Sequence, residues 1–384
     1  MVPTFDLDPD GCYVGRVWRP GIGPVIVHVR GKSIVDISDA PVLTMHDLLE
    51  LSDTVRYVNN IKGDEICDIA TLESNSVLAG ENLDEPHCLA PCDLQAIKAS
   101  GVTFVRSMLE RVIEERAGGD PERADEVRSQ ISELIGGALV DLIPGSERAR
   151  SVKDLLIKEG MWSQYLEVGI GPDAEIFTKA QPMSAVGWGA KVGLHPASLW
   201  NNPEPEMVLA INSRGETVGA TLGNDVNLRD IEGRSALLLG KAKDNNASAS
   251  IGPFIRLLDT KFTMQDVRDC EITLSVIGDD GFSLEAASLM NEISRDPLDL
   301  VAQTIGDFHQ YPDGFMLYLG TMFAPVQDRG SPGDGFTHKV GDVVSISTPA
   351  IGTLTNSVDL STNCRPWSFG TAALMRSLAN RALS

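Results

Sequence analysis

After Gly187 the chain is written in short β-branched and aliphatic runs set between Gly, Pro and Asn, at 207–212, 218–222, 271–277, 315–319 and 343–347. Such runs, bounded by turn formers, read as strands and make the second half of the chain β-rich. A helix closes it at 372–383. A smaller piece of the same character opens the chain, where 13–18 and 25–29 alternate around Arg19-Pro20-Gly21-Ile22-Gly23 and predict two strands joined by a turn. Residues 44–51 read as a short helix, 56–86 as irregular and polar, and 86–91 as a boundary. Helical spacing follows at 102–116, 124–134 and 151–159. The expected class is α+β, mostly β: a smaller N-terminal β-containing domain over 1–88 and a larger one over 89–384, with a helical connector at 102–160.

Charge narrows the partners. Thirty-two Lys and Arg against 54 Asp and Glu leave a net charge of −22. Counterion release has no basic surface to work with, so neither nucleic acid nor an anionic membrane is an expected partner. The same field favours a divalent cation, and an anionic substrate needs a local positive centre. The first ten residues lack the basic start and apolar run of an export signal, and no apolar stretch approaches the ~18 residues of a membrane span. Six cysteines without a Cys-x-x-Cys pair suit reduced thiols, so a cytoplasmic protein is expected.

Several motifs fail on inspection. Asp6 to Gly11 opens like a calcium loop, but its twelfth position is Val17 where a bidentate Glu is needed. Gly31-Lys32-Ser33 ends like a phosphate loop, yet Ile26 stands where its first glycine belongs. Gly21-Ile22-Gly23 lacks the third glycine of a dinucleotide fingerprint, and no Gly-x-Ser-x-Gly elbow is present. The informative segment is Asn201 to Ala210 with Gly223 to Asp230. Glu204 and Glu206 lie two apart at the start of a strand and so share a face, and Asp225 at the end of the next strand can join them. Three carboxylates around one point repel unless a cation sits among them, and an all-oxygen set selects a hard one, Mg²⁺, Mn²⁺ or Ca²⁺. A Glu-x-Glu on a solvated edge has the same spacing, which by itself does not separate the two.

Taken together, Glu204-x-Glu206, the Asn224 to Asp230 run, Ala242-Lys243 leading to Gly252-Pro253, and Gly341-Asp342-Val343-Val344 before Gly352-Thr353-Leu354-Thr355-Asn356 resemble the core of the fumarylacetoacetate hydrolase superfamily. The likeness covers roughly 89–359. It implies a mixed β-roll catalytic domain in which Glu204, Glu206 and Asp225 hold one Mg²⁺ or Mn²⁺ and Lys243 points into the site. It also implies subunits that pair through that domain, as a homodimer or homotetramer.

One departure indicates the reaction. The C–C hydrolases of that superfamily carry a His-x-x-Glu pair on a helix after a Gly-x-Asn-Tyr turn, whereas 101–110 here is Gly-Val-Thr-Phe-Val-Arg-Ser-Met-Leu-Glu. Ser107 replaces the His and Glu110 stays, so the water-activating dyad is missing. The segment resembles instead the branch that dehydrates 2-keto-3-deoxy sugar acids, as do Glu175-Ile176-Phe177-Thr178-Lys179 and the runs at 162–167 and 310–315. That branch implies a hydro-lyase of pentose catabolism, including D-xylose degradation. It would convert 2-keto-3-deoxy-D-pentonate, from D-xylonate or D-arabinonate, to 2,5-dioxopentanoate. The alternative is a metal-dependent C–C hydrolase of acylpyruvates or related 1,3-diketo acids.

Such a substrate would chelate the cation through its carboxylate and C2 carbonyl, which acidifies C3. Lys243, its pKa depressed by burial beside the cation, is the expected base, and Glu110 or Glu175 the donor to the departing C4 hydroxyl. Ser107, Thr321, Thr353 and Lys179 are the expected substrate-binding residues. Arg229 and Asp230 are expected to form an ion pair that holds Asp225, while His309 and His338, beside turns, are weaker pocket candidates.

Overall fold

The computed structural model describes residues 3–77, 84–104, 108–109, 111–113, 116, 142–160, 162–323, 325–330 and 335–382. Among them, strands outweigh helices and lie in two large sheets and one short pair. The larger sheet runs Asp64–Asp68, Ser33–Asp36, Gly23–Arg30, Tyr13–Arg19, Ala249–Leu257, Thr217–Asp225, Pro205–Ile211, Phe315–Tyr318, Ala96–Gly101 and Glu175–Ala180, with His87–Leu89 beside Tyr13–Arg19. Its pairings are antiparallel except that of Phe315–Tyr318 with Ala96–Gly101. The second sheet runs Ser283–Leu289, Glu271–Ile277, Val343–Thr348, Gly352–Leu360 and Lys191–Leu194.

The central strand Pro205–Ile211 is buried along its whole length, which explains its continuous apolar run. Met207, Leu209 and Ile211 face a core shared with Ile272, Leu274, Val344 and Ile346 of the second sheet. Val208 and Ala210 face an opposite core with Val14, Ile26, Met45 and Leu48. Each fully buried Val, Leu, Ile or Met side chain among them contributes roughly 1.5–3 kcal/mol. The sheet does not break near residue 88: Tyr13 lies opposite Arg256 and Val14 opposite Ile255, so the first strands extend the sheet that carries Glu206 and Asp225.

The stretch expected to be irregular, 56–86, instead holds most of the helix Thr54–Asn60, the strand Asp64–Asp68 and the helix Ile69–Val77. Long-range contacts order it: Leu72 is buried, and Glu73 accepts the Phe5 N–H at 2.7 Å. The expected helix at 151–159 is Glu147–Lys158, started by Ser146, whose hydroxyl accepts the Ala149 N–H. The expected helix at 124–134 lies outside the described residues. Val102, Met108, Val112, Leu156, Leu166 and Ile170 form a third core, a helical layer that carries Arg111 and Tyr165 to the end of the sheet. No helix among the described residues is long and apolar enough to cross a membrane.

Candidate active site

Glu204 immediately precedes the strand Pro205–Ile211, Glu206 lies within it, and Asp225 ends the antiparallel neighbour Thr217–Asp225. The Asp225 N–H donates to the Glu204 carbonyl at 3.1 Å and fixes the two strand ends together. One carboxylate oxygen from each of the three falls within 4.8 Å of the others, and all three residues are buried.

Charge around the triad is unevenly shared. Lys243 Nζ donates to Glu204 Oε2 at 2.5 Å and to Asp225 Oδ2 at 2.9 Å. Lys179 Nζ pairs with Asp225 Oδ1 at 2.7 Å, while the Arg111 guanidinium bridges Glu204 and Glu232. Glu206 makes no ion pair among the described residues: Oε2 accepts the Gly320 N–H at 2.7 Å, and Oε1 is buried with no hydrogen-bond partner among them. Burial, reinforced by Asp225 and Glu204, holds the Glu206 carboxyl well above the usual range. Asp225 goes the other way, since Lys179 and Lys243 overcome its burial and lower its pKa. A buried carboxylate oxygen without a partner, in an all-oxygen set facing one point, fits a hard divalent cation.

A small pocket opens over the triad, lined by Lys243, Glu175, Glu232, Arg111, Tyr165 and Thr321 among others. Burial pushes the Glu175 carboxyl up to about 7, reinforced by Glu232 and opposed by Lys243 and Arg111. At neutral pH it is therefore poised to give or take a proton. At Lys243 burial alone would lower the pKa, but Asp225, Glu204 and Glu232, the first two of which a cation would engage, outweigh burial and raise it.

The structure thus brings together Glu204, Glu206, Asp225, Lys243, Glu175 and Thr321. Ser107 and Glu110 lie outside the described residues. Lys179, expected at the substrate, lies behind the pocket. The register passes from Ala180 opposite Ile97 to Thr178 opposite Lys98, leaving Lys179 as the extra residue of a bulge. Its fully buried Nζ is taken up by Asp225, the Lys243 carbonyl and the Val226 carbonyl, so it positions the triad and the Lys243 backbone. Thr353 is not brought to the pocket either: its hydroxyl donates to Asp6 at 3.2 Å and its N–H to Phe5. Asp230 is held by the Ser198 hydroxyl and the Leu199 N–H, and Arg229 lies 4.4 Å over the Trp200 ring; Asp225 takes its ion pairs from the two lysines. His338 is buried against Asp342 and His309 packs on Tyr311, neither of them lining the pocket.

Arg111, Glu232 and Tyr165 belong to the pocket but were not singled out from the sequence. Arg111 directly follows Glu110 on the expected helix and Glu232 lies two residues beyond Asp230, so adjacency to recognised motifs was their signal, while Tyr165 lies inside the 162–167 run that carries part of the resemblance.

Residues 162–359 match the family model described as fumarylacetoacetate (FAA) hydrolase, C-terminal. A Haloferax volcanii protein named "Probable 2-keto-3-deoxyxylonate dehydratase" is 32% identical over 213 residues, covering 56% of this chain and 68% of its own length. A Saccharolobus solfataricus protein named 2-dehydro-3-deoxy-D-arabinonate dehydratase is 31% identical over 184 residues, covering 48% of this chain and 58% of its own. The fold is similar to that of a solved 2-keto-3-deoxy-D-arabinonate dehydratase complexed with magnesium and 2,5-dioxopentanoate. That likeness has a TM-score of 0.60 at 21% identity and covers 91% of this chain and 99% of the other.

Proposed function

The chain belongs to the fumarylacetoacetate hydrolase family, and from that premise we propose that it is a metal-dependent hydro-lyase that converts 2-keto-3-deoxy-D-pentonate to 2,5-dioxopentanoate. The observation that carries this reading is a division of labour at one pocket: Glu204 and Asp225 line it with Glu206 and its unmet oxygen grouped beside them, and Glu175, with a pKa of about 7, lines it too. Two relatives above 30% identity bear names of that reaction class.

Glu204, Glu206 and Asp225 would hold the ion, for which we propose Mg²⁺. When bound, it would polarise a 2-oxo acid and acidify its C3–H. With the ion engaging Glu204 and Asp225, the carboxylates that hold Lys243 charged, Lys243 would give up a proton to solvent and, as the free amine, take the proton from C3. Glu175 delivers a proton to the C4 hydroxyl, which leaves as water; it does so in its protonated form, abundant at and below pH 7. A C3–C4 double bond results, and proton shifts from C5 then turn the C5 carbinol into the aldehyde, so that substrate less one water equals product. Thr321, buried at the pocket wall, would hold the substrate, and Tyr165 lines the pocket from the helical side. A cytoplasmic setting, a place in pentose oxidation and assembly into two or four copies belong to the same proposal.

The test is turnover of 2-keto-3-deoxy-D-pentonate by metal-stripped protein with and without Mg²⁺, read as aldehyde through a coupled dehydrogenase. Aldehyde formed only with the ion is the expected result. No aldehyde, with cleavage of an acylpyruvate instead, would overturn the lyase in favour of a hydrolase.

A further inference from the structure

Gly101 ends the strand Ala96–Gly101 directly opposite Glu175 in the antiparallel register. Its backbone does not require glycine, because its φ lies outside the positive range that disfavours a side chain. What excludes a side chain is the neighbour. A Cβ at this position would overlap Glu175 Oε2 and would lie 2.6 Å from Cδ and 3.3 Å from Cγ. The carboxyl group of Glu175 therefore rests on the space where a side chain at 101 would be.

The next residues hold this space in place. Val102 adopts φ 45°, a costly conformation for a β-branched residue, and turns the chain away beside the pocket. Thr103 locks the turn: its hydroxyl donates to the Leu319 carbonyl at 2.6 Å, and its carbonyl accepts the Ser294 N–H at 2.7 Å. Its hydroxyl also fills the space beside Gly320, whose N–H binds Glu206. The turn that leaves Glu175 its room is thus fastened to the segment that supports the triad.

We propose that Gly101 is a positioning residue, a side-chain-free seat that holds the Glu175 carboxyl over the pocket. This rests on Glu175 acting as the proton donor. Atoms at the far end of a flexible side chain yield easily, so a methyl group at 101 leaves the fold intact and turns the carboxyl out of the pocket. A glycine needed only for folding would behave the other way, losing stability and keeping its kinetics.

The experiment compares Gly101→Ala, Glu175→Gln, Glu175→Asp and the double variant Gly101→Ala/Glu175→Asp as Mg²⁺-loaded full chains. Gly101→Ala should melt at the wild-type temperature, keep KM within about threefold and lose kcat on the order of 10²-fold, the scale of a misplaced general acid. Its alkaline limb should move to lower pH as the carboxyl regains contact with water. In the Glu175→Asp background, one methylene shorter, Gly101→Ala should cost less than about twofold. Equal losses in both backgrounds, or a wild-type kcat and limb in Gly101→Ala, would overturn the seat. Glu175→Gln at full turnover would overturn the donor and the seat with it, whereas an inactive Glu175→Gln beside an unaffected Gly101→Ala overturns the seat alone. Titration of the Glu175 carboxyl by carbon NMR needs no substrate: it should fall from about 7 in Gly101→Ala, and an unchanged value overturns the seat whatever the substrate is.

Discussion

Two buried acidic clusters sit at strand ends in this molecule, and they are built on opposite rules. At Asp342 every carboxylate oxygen is met: Arg329 donates to Oδ2 at 2.6 Å and to Oδ1 at 2.7 Å, and His338 and the Lys339 N–H approach Oδ2 at 2.9 and 3.0 Å. Burial works against the charge there, yet His338 and Arg329 overcome it and bring the pKa down to about 2. At Glu206 one oxygen has a single backbone donor, the other none among the described residues, and two further carboxylates face it. Burial alone does not mark a functional carboxylate; the lone pairs left over do.

The largest effects should separate the two clusters cleanly. Glu206→Gln removes an unbalanced charge, so the fold should be as stable as the wild type or more so. Turnover should fall on the order of 10³-fold, and Mg²⁺ binding by calorimetry should disappear. Asp342→Asn leaves Arg329 with Asp280 as its remaining acidic partner among the described residues and should still cost about 3 kcal/mol in denaturant unfolding, with the folded fraction still active. If both variants lost stability alike, the distinction between a ligand set and a structural ion cluster would be broken.

Much of this contrast was legible in the sequence, and what was not has a physical reason. Period-two spacing placed Glu204 and Glu206 together, and the turn-bounded runs predicted the strands that carry Glu206 and Asp225. Lys179, expected at the substrate only from the resemblance, sits at a one-residue bulge that re-aims a side chain which simple alternation would leave beside Glu175 and Phe177. Arg111 and Glu232 meet across 121 positions of sequence, a pairing set by tertiary packing and by no local pattern. The helices at 54–60 and 69–77 were missed for a similar reason, since their ordering contacts come from distant strands and from Phe5.

The pH dependence of stability sharpens the comparison at an intermediate scale. Glu175, at about 7 where an unfolded Glu is near 4.5, is ionised in the fold at a cost of about 3 kcal/mol at most, carried in full above pH 7 and absent below about 4. Glu175→Gln should therefore raise the melting temperature at pH 8 and leave it unchanged at pH 4. Asp342 has the reverse sign: its lowered pKa stabilises the fold above about 4, and that contribution is lost as pH falls through about 2. A smaller shift should follow Glu232→Gln, which removes a charge that raises the Glu175 pKa and releases Arg111 toward it. The alkaline limb of turnover should then move to lower pH, and a limb that stayed in place would deny Glu232 any hold on Glu175.

The smallest expected effect tests where the pocket ends. Thr353 lies in the second sheet, partly exposed, with its hydroxyl on Asp6 and its N–H on the Phe5 carbonyl. An exposed hydrogen bond of this kind is worth little, so Thr353→Val should change stability by less than about 0.5 kcal/mol and kcat/KM by less than about twofold. Thr321→Val removes a buried hydroxyl from the pocket wall and should raise KM, while the lost hydrogen bond to the Phe323 carbonyl costs about 1 kcal/mol of stability. Because the two substitutions are chemically identical, their difference isolates position. A large KM effect at Thr353 would carry the binding site beyond the pocket over Glu204, Glu206 and Asp225, to the face where the N-terminal segment meets the second sheet.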